Sequence, residues 1–277
     1  MDLGKNKTFI GILGCGWLGA ELAKALISAG YKVFGSTTSP NKIPILKNLG
    51  IDPYLVHFES GIQPDINFLQ QADIVVLALP PGRNPTANAA YRQMANILAE
   101  KLPHSKIKKL ILLSSVSVYG DRNAIFSETD PAQPDTNSGE LLAETEAQLL
   151  QSDPRVIVLR LGGLIGPGRH PGRFFAGKTD IPNGLAPVNL IHQADAVGII
   201  LKLIETEQAS GIYNGCAPDH PSRVDFYTLA SEAIGLETPT FIAEKKAWKI
   251  IESHRLKEEL RYQFQVGDLI EYLKNRK

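Results

Sequence analysis

One short segment, the glycine-rich turn GCGWLG at residues 14–19, restricts the possible folds of this chain more than any other. An apolar run, TFIGIL (8–13), comes directly before it and has the composition of a buried parallel strand. A helical pattern follows and ends at Gly30, after which YKVFGS returns to strand character. The glycines therefore lie at a strand-to-helix turn, which predicts a βαβ unit at the start of a Rossmann-type sheet.

The spacing within this turn indicates dinucleotide binding. Three glycines have the G-x-G-x-x-G pattern: Gly14, Gly16 and Gly19. One permits the tight turn, one lets backbone N–H groups approach a pyrophosphate, and one lets the helix pack on the strand. We expect the side chains between them to contact the cofactor as well: Cys15, Trp17 and Leu18. The alternative for the turn as a whole is a Rossmann-type turn without a ligand. Cys15 could be a reactive thiolate, but the favoured interpretation is a small residue that fits a tight turn.

The end of the second strand favours NADP over NAD. An NAD site usually has an acidic residue about 20 positions after the glycines, bonded to the ribose hydroxyls. No Asp or Glu occurs here between Glu21 and Asp52. Instead, the end of the strand carries three hydroxyl side chains and is followed by Lys42, and this combination suits a 2′-phosphate. The hydroxyl side chains are those of Ser36, Thr37 and Thr38. The alternative is a polar turn that contacts nothing.

Strands continue to alternate with helices along the chain. Three more buried strands lie in the segments 73–81, 109–120 and 155–168, with helical patterns near 87–102 and 138–151. This alternation predicts an α/β fold with a doubly wound parallel sheet, whose ligands bind at the carboxyl ends of the strands. Leu79 and Pro80 follow one of these strands and are expected at the cofactor.

We place the domain boundaries where this alternation stops. Residues 1–165 are predicted to form the NAD(P)-binding domain, to which 186–212 returns. Residues 166–185 and 213–277 are predicted to form a small C-terminal substrate lobe.

Charge and cysteine content exclude several classes of function. The 277 residues carry 29 basic and 29 acidic side chains, which gives no indication of nucleic acid or an anionic membrane as partner. Two cysteines provide neither a disulfide framework nor a metal site. With no signal-peptide pattern and no long apolar span, we expect a cytoplasmic protein without a membrane partner. The sequence leaves its oligomeric state open.

Several strings along the chain are similar to those of a known family. SSVSVYG, RLGGLIGPG, NLIHQADAVG and GIYNGCAP resemble the extended short-chain dehydrogenase/reductases, the NAD-dependent epimerase/dehydratase family. GCGWLG, SVYGD, TNSG and GPGRHPGRFFAGK resemble the YeeZ-type group of its atypical members. The resemblance implies an NAD(P)-dependent oxidoreductase or epimerase, in which Ser115 would polarise a substrate oxygen.

The same resemblance implies that this chain lacks two catalytic residues of the family. In PDTNSGELLAE (134–144), the family's catalytic Tyr-x-x-x-Lys falls on Ser138 and Leu142. A serine with no neighbouring cation is a poor proton donor at neutral pH. Val116 and Ser117 occupy the positions of the acidic pair used by the family's dehydratases, so dehydration by that mechanism is not expected.

Other residues are candidates to move the proton and to hold the substrate. Tyr119 could replace the missing acid, although a packing role is favoured for it. GPGRHPGRFFAGK (166–178), here the basic loop, carries four cationic or ionisable side chains: Arg169, His170, Arg173 and Lys178. We expect the arginines and the lysine to bind an anionic substrate, and His170 to accept a proton. The alternative is a solvated basic loop.

Three functions therefore remain. The favoured one is a cytoplasmic NAD(P)-dependent oxidoreductase or epimerase-like enzyme with a small anionic substrate, such as a sugar nucleotide. A second is a non-catalytic dinucleotide-binding or redox-sensing module, consistent with the missing Tyr and Lys. The third, suggested by GCGWLG and VVLALPP, is a hydroxyacid or prephenate dehydrogenase; the turn-rich C-terminal third argues against it.

Overall fold

The computed structural model describes residues 7–58, 66–82 and 84–275. Its strands β1 to β11 are Phe9–Leu13, Lys32–Thr37, Asp52–Leu55, Ile74–Leu77, Lys109–Ser115, Ala124–Phe126, Val156–Leu161, Gly163–Ile165, Leu190–His192, Gly211–Gly215 and Lys249–Ile251. Its helices α1 to α8 are Trp17–Ser28, Ile43–Asn48, Pro85–Lys101, Asn137–Ser152, Gln193–Glu205, Arg223–Glu232, His254–Glu258 and Leu269–Lys274.

Seven of these strands form one sheet in the order β10-β7-β5-β4-β1-β2-β3. β1 pairs in parallel with both β2 and β4, so the strand order reverses beside β1. In a doubly wound sheet this reversal point is where ligands bind, beyond the carboxyl ends of the strands. The predicted Rossmann-type α/β fold is confirmed, and the glycine turn of residues 14–19 directly follows β1.

Burial explains why these segments form strands and helices. β4 and β1 consist of apolar residues with almost no exposed surface, as expected of parallel strands that are covered on both faces. α1 buries Leu18, Leu22 and Leu26, which recur every four residues on one face. Burying one such leucine stabilises the fold by about 1.5–3 kcal/mol.

The chain divides into two compact units. The first comprises residues 1–114, 137–159 and 200–212, and the second comprises 115–136, 160–199 and 213–277. In this grouping, residues 115–136 and 160–165 belong to the second unit, and of the segment 186–212 only 200–212 belongs to the first, so the predicted functional boundaries stay a prediction. Residues 115–136 include β6, which pairs in parallel with β11 and so ties the segment after β5 to the C-terminal part of the chain.

The second unit has an apolar core of its own. It is formed around α6, α8 and the β8–β9 pair, with Phe226 and Leu269 fully buried. Asp195 lies beneath the chain that leads to α8. Its carboxylate accepts hydrogen bonds from the N–H groups of Gln265 and Val266 and from the Tyr262 hydroxyl. A fully buried carboxylate is stable only with such partners, so Asp195 holds this segment in place.

Among residues 7–58, 66–82 and 84–275, no helix is both long and apolar enough to span a bilayer.

Candidate functional site

In the first unit, the end of β2 holds the glycine turn. The Gly14 N–H donates to Ser36 Oγ at 2.9 Å, and the Cys15 N–H donates to the Ser36 carbonyl at 2.7 Å. The backbone of Gly14 has φ of +104°, a conformation that residues other than glycine rarely adopt. The Ser36 hydroxyl, predicted to contact a 2′-phosphate, is therefore engaged as the acceptor that fixes the turn.

The other two glycines of the turn have different local requirements. A Cβ atom at Gly19 would lie 2.1 Å from the Gly14 carbonyl oxygen, so this position requires glycine for helix α1 to pack. A Cβ atom at Gly16 would meet nothing within 4 Å. Gly16 thus borders open space directly before α1, where a ligand's pyrophosphate can approach the backbone.

The N-terminus of α1 is suited to an anion. No side chain caps it, and its first turn contains no acidic residue. The helix dipole therefore meets no competing carboxylate there, which favours a bound phosphate.

A cavity of about 150 Å³ opens beside this turn. Its lining includes most of the residues predicted to bind the cofactor: Gly14, Cys15, Gly16, Ser36, Thr37, Thr38 and Leu79. Trp17, Leu18, Gly19 and Pro80 are not part of that lining. Lys42 and the apolar Leu13, Val56 and Phe58 complete it. The sequence signal for Val56 and Phe58 was weak because β3, the strand before them, is only four residues long.

Cys15 has the environment of a structural residue. It is 4% exposed, and burial raises the pKa of its thiol to about 12, although Lys42 and the Ser36 backbone partly oppose this. A Cβ atom at Gly35 on β2 would lie 2.5 Å from the Cys15 sulfur. Burial therefore opposes the thiolate alternative and favours the role of a small side chain in a tight turn.

Helix α4 carries the two positions at which the sequence lacks Tyr and Lys. Ser138 is exposed in its first turn, and Leu142 is 3% exposed, four residues further on. Glu146, one turn later on the same face, accepts a hydrogen bond from the Ser114 hydroxyl at the end of β5. This contact places the Leu142 face of α4 against the sheet, where a lysine would have to be buried.

In the second unit, a separate cavity of about 350 Å³, here the Ser115 pocket, contains the predicted serine. Ser115 Oγ accepts a hydrogen bond from the Ser117 N–H at 3.1 Å, which leaves its own proton available for donation. Arg223, Tyr227 and Lys249 line the same pocket. Lys249 forms an ion pair with Asp121 at 3.0 Å. Arg223, the other cation of this pocket, forms no ion pair with a described residue.

Tyr227 is the candidate proton donor that the sequence interpretation missed. Its ring packs against Phe174, Phe175 and Phe241, which holds the side chain in place. Within the described residues its hydroxyl has no hydrogen-bond partner, and it is not among the polar atoms sealed from solvent. Burial raises the pKa of Tyr227, opposed by Arg223, so the phenol is protonated at neutral pH. Nothing near Tyr227 in the sequence distinguishes it from a core aromatic residue.

Tyr119 occupies the opposite kind of environment. It is 0% exposed, and its hydroxyl accepts from Arg160 at 2.6 Å while facing the Ser127 carbonyl at 2.9 Å and Asn214 Oδ1 at 3.1 Å. A hydroxyl with these partners and no exposed surface holds the core together. This is the packing role that was favoured for it, so we do not retain Tyr119 as a proton donor.

The basic loop lies on α6. The Ser231 hydroxyl donates to the Gly172 carbonyl at 3.1 Å, and a Cβ atom at Gly172 would clash with the Ala230 backbone. His170 Nδ1 accepts a hydrogen bond from the Gly172 N–H at 3.2 Å. Arg169, Arg173 and Lys178 are exposed, and none of the four predicted residues lines the Ser115 pocket. Their contact with the same ligand as Ser115 stays a prediction.

The described residues contain no cluster of three or more His, Cys, Asp or Glu side chains that could hold a metal ion.

Comparison with known proteins identifies the family. The chain is 40% identical over 265 residues to the protein YeeZ of Escherichia coli K12, which covers 94% of this chain and 96% of that protein. The chain belongs to the YeeZ family. This confirms the YeeZ-type group that the sequence motifs predicted. The model of a further family, described as NADP oxidoreductase, coenzyme F420-dependent, matches residues 9–103, from β1 to the end of α3.

Solved structures with low sequence identity share the fold over almost the whole chain. A UDP-glucuronic acid 4-epimerase from Bacillus cereus, solved with NAD, is 19% identical, with a TM-score of 0.79 over 96% of each chain. The human epimerase family protein SDR39U1, solved with NADPH, is 18% identical, with a TM-score of 0.72 over 97% of this chain and 98% of that one. At such identities the likeness shows the fold alone.

The glycine turn and Ser115 are present, and Ser138 and Leu142 are the residues predicted to stand at the Tyr and Lys positions. If that prediction holds, the proton donor comes from elsewhere or is absent, and these two possibilities separate the candidate functions below.

Proposed function

We propose that this member of the YeeZ-type group is an NADP(H)-dependent oxidoreductase or epimerase-like enzyme that acts on a small anionic substrate. The observation that carries the proposal is the glycine turn, with open space at Gly16 and an uncapped N-terminus of α1. When bound, the nicotinamide would supply the hydride. The protein's own residues would bind its phosphates, orient the substrate and move the proton.

The preference for NADP rests on the charge around the turn. Thr38 and Lys42 are exposed and line the cavity beside Gly14, while the Ser36 hydroxyl is engaged by the Gly14 N–H. We therefore assign the 2′-phosphate to Lys42 and Thr38, with Thr37 behind them. The absence of an acidic residue after β2 supports this assignment, since a carboxylate there would repel the phosphate.

A pair of lysines on neighbouring turns tests the assignment. Lys42→Ala should weaken NADP⁺ binding about ten- to hundredfold and leave NAD⁺ binding unchanged, because one charge-assisted contact is lost. Lys47→Ala on α2 is the matched control, since Lys47 is exposed but does not line the cavity. Isothermal titration calorimetry of both variants with both cofactors measures this. Equal losses for NADP⁺ and NAD⁺ would overturn the assignment to Lys42.

For the substrate we propose the Ser115 pocket. Ser115 would donate a hydrogen bond to a substrate oxygen, and Tyr227 would exchange the proton that the family's lost tyrosine no longer handles. Arg223 would bind a carboxylate or phosphate, since it has donors beyond the one given to the Pro182 carbonyl. Because the related epimerase is named for UDP-glucuronic acid, that sugar nucleotide is a suitable probe.

Two arginines distinguish the Ser115 pocket from the basic loop as the anion site. If the pocket binds the anion, Arg223→Ala weakens UDP-glucuronic acid binding about tenfold or more, while Arg173→Ala leaves it unchanged. The reverse result would restore the substrate assignment of Arg169, Arg173 and Lys178, with His170 as the base. Cofactor affinity should be unaffected in both variants.

The second candidate function is a non-catalytic NAD(P)-binding or redox-sensing module. The buried Leu142 at the lysine position favours it, because no cation is available there to activate a proton donor. The two functions differ in turnover. The enzyme should interconvert bound reduced and oxidised nicotinamide with a sugar-nucleotide probe, and Tyr227→Phe should abolish this while preserving cofactor binding. A sensor would bind the cofactor without consuming it in the wild type as well.

A further inference from the structure

The second unit contains another cavity, of about 630 Å³, which shares no lining residue with the Ser115 pocket. We name it the Phe264 cavity. Cys216 and Ile251, both buried, belong to its lining together with Pro218 and the partly exposed Phe264. Its volume is that of an ordinary small-molecule site. The function proposed above makes no use of it.

Cations without partners line this cavity. Lys257 and Arg261 are exposed, and neither forms an ion pair or hydrogen bond with a described residue. Glu252, which also lines the cavity, contacts His254 at 2.7 Å, and Glu259 contacts Arg255 at 2.6 Å. The cavity lining thus combines apolar side chains with two cations, Lys257 and Arg261, and one carboxylate, Glu252.

The backbone at Arg261 is strained. Its φ is +49°, in the left-handed region, where the turn closes α7 through a hydrogen bond from the Tyr262 N–H to the Leu256 carbonyl at 2.8 Å. Glycine normally occupies such a position at the end of a helix, because any other residue is less stable in that conformation. Strain of this kind is concentrated at ligand sites. Here it keeps a guanidinium at the cavity.

The aromatic wall indicates the shape of the ligand. Phe264 meets Tyr262 edge to face, with ring centroids 5.4 Å apart, and Tyr262 is fixed by its hydrogen bond to Asp195. A partly exposed aromatic ring on a fixed support can stack with a planar ring. We propose that the Phe264 cavity is a second binding site, for a small organic anion in which a planar ring carries a phosphate or carboxylate. Lys257 and Arg261 bind the anionic group, and the ring packs against Phe264.

Residues that line the Phe264 cavity contact residues that line the Ser115 pocket. His220, which lines the Phe264 cavity, is within 3.0 Å of the Val188 carbonyl through Nδ1, and Val188 lines the Ser115 pocket. Strand β11 also borders both, with Lys249 on one side and Ile251 on the other. Occupancy of the second site therefore has a direct structural route to the first.

Phenyl phosphate tests the proposal by calorimetry, with phenol and inorganic phosphate as the two halves of the probe. We expect phenyl phosphate to bind at least tenfold more tightly than either half. Arg261→Gly should weaken binding about ten- to hundredfold while raising Tm, since the strain is relieved as the charge is lost. Lys257→Ala should weaken binding by a similar factor. Lys274→Ala, an exposed cation on α8 outside the cavity, should bind like the wild type.

Two further variants locate the probe and keep the test independent of the proposed function. Lys42→Ala and Arg223→Ala should leave phenyl phosphate binding unchanged. Loss of binding in either of them, with normal binding in Arg261→Gly, would assign the probe to the cofactor turn or the Ser115 pocket and overturn the proposal. Absence of measurable binding at millimolar phenyl phosphate would overturn it as well.

Discussion

The glycine turn of the first unit and the Ser115 pocket of the second are built by different means. The turn is one contiguous segment in which the backbone provides the donors, and its requirement is that side chains be absent. The pocket collects side chains from separate segments: Ser115 at the end of β5, Arg223 and Tyr227 on α6, and Lys249 on β11. Adding a side chain to the turn is therefore expected to disturb either its packing or its ligand contact. Removing one side chain from the pocket should remove only the contact that this side chain makes.

The largest effect should come from a single methyl group in the turn. Gly19→Ala places a Cβ 2.1 Å from the Gly14 carbonyl oxygen, which should destabilise the fold by about 3 kcal/mol or more. Gly16→Ala meets nothing within 4 Å and should leave the Tm unchanged, yet weaken dinucleotide binding at least tenfold. Thermal melts and titrations of both variants test this pair. Equal Tm values for both would show that the turn is not packed as described.

Restoring the missing lysine should damage the first unit. Leu142→Lys exchanges a buried apolar contact for a buried ammonium group, at a cost of about 2–4 kcal/mol. Ala147→Lys, at an exposed position on the same helix, is the control and should be near neutral. Chemical denaturation measures both. A neutral Leu142→Lys would mean that this face of α4 opens onto a space able to accept the lysine.

Removing the hydroxyl of either of two tyrosines in the second unit should change its stability by different amounts. Tyr119→Phe removes one acceptor of the buried Arg160 and should cost about 1–3 kcal/mol of stability. Tyr227→Phe removes no hydrogen bond to a described residue and should change stability by less than about 0.5 kcal/mol. Denaturant unfolding distinguishes them. A large stability loss in Tyr227→Phe would argue that its hydroxyl is a core group rather than part of a site.

The smallest effect concerns thiol reactivity. Burial raises the pKa of Cys15 to about 12 and that of Cys216 further, so neither is ionised near neutral pH. Ellman's reagent should therefore react with both only on unfolding, or slowly through local opening. Because Cys15 lines the turn cavity, NADP⁺ should slow its labelling and leave that of Cys216 unchanged. Rapid labelling of native Cys15 would contradict the packing of the turn.

How much the sequence could predict follows from the same contrast. The glycine turn and the βαβ order could be predicted because each depends on residues that are close together in the sequence. Strand β3, DPYL, was missed because it has only four residues and begins with Asp-Pro, and its pairing to β2 decides its state. Tyr227 and Arg223 were missed because only the folded chain brings α6 to Ser115. Clustered charge drew attention to the basic loop, yet its exposed cations do not line that pocket.

The central claim is that the turn after β1 binds a dinucleotide and that the residues after β2 favour one with a 2′-phosphate. Calorimetric titration of the wild-type protein with NADP⁺ and NAD⁺, side by side, tests it most directly. We expect NADP⁺ to bind at least tenfold more tightly than NAD⁺, through Lys42 and Thr38. Equal or reversed affinities would contradict the 2′-phosphate assignment, and no binding of either would contradict the cofactor site itself.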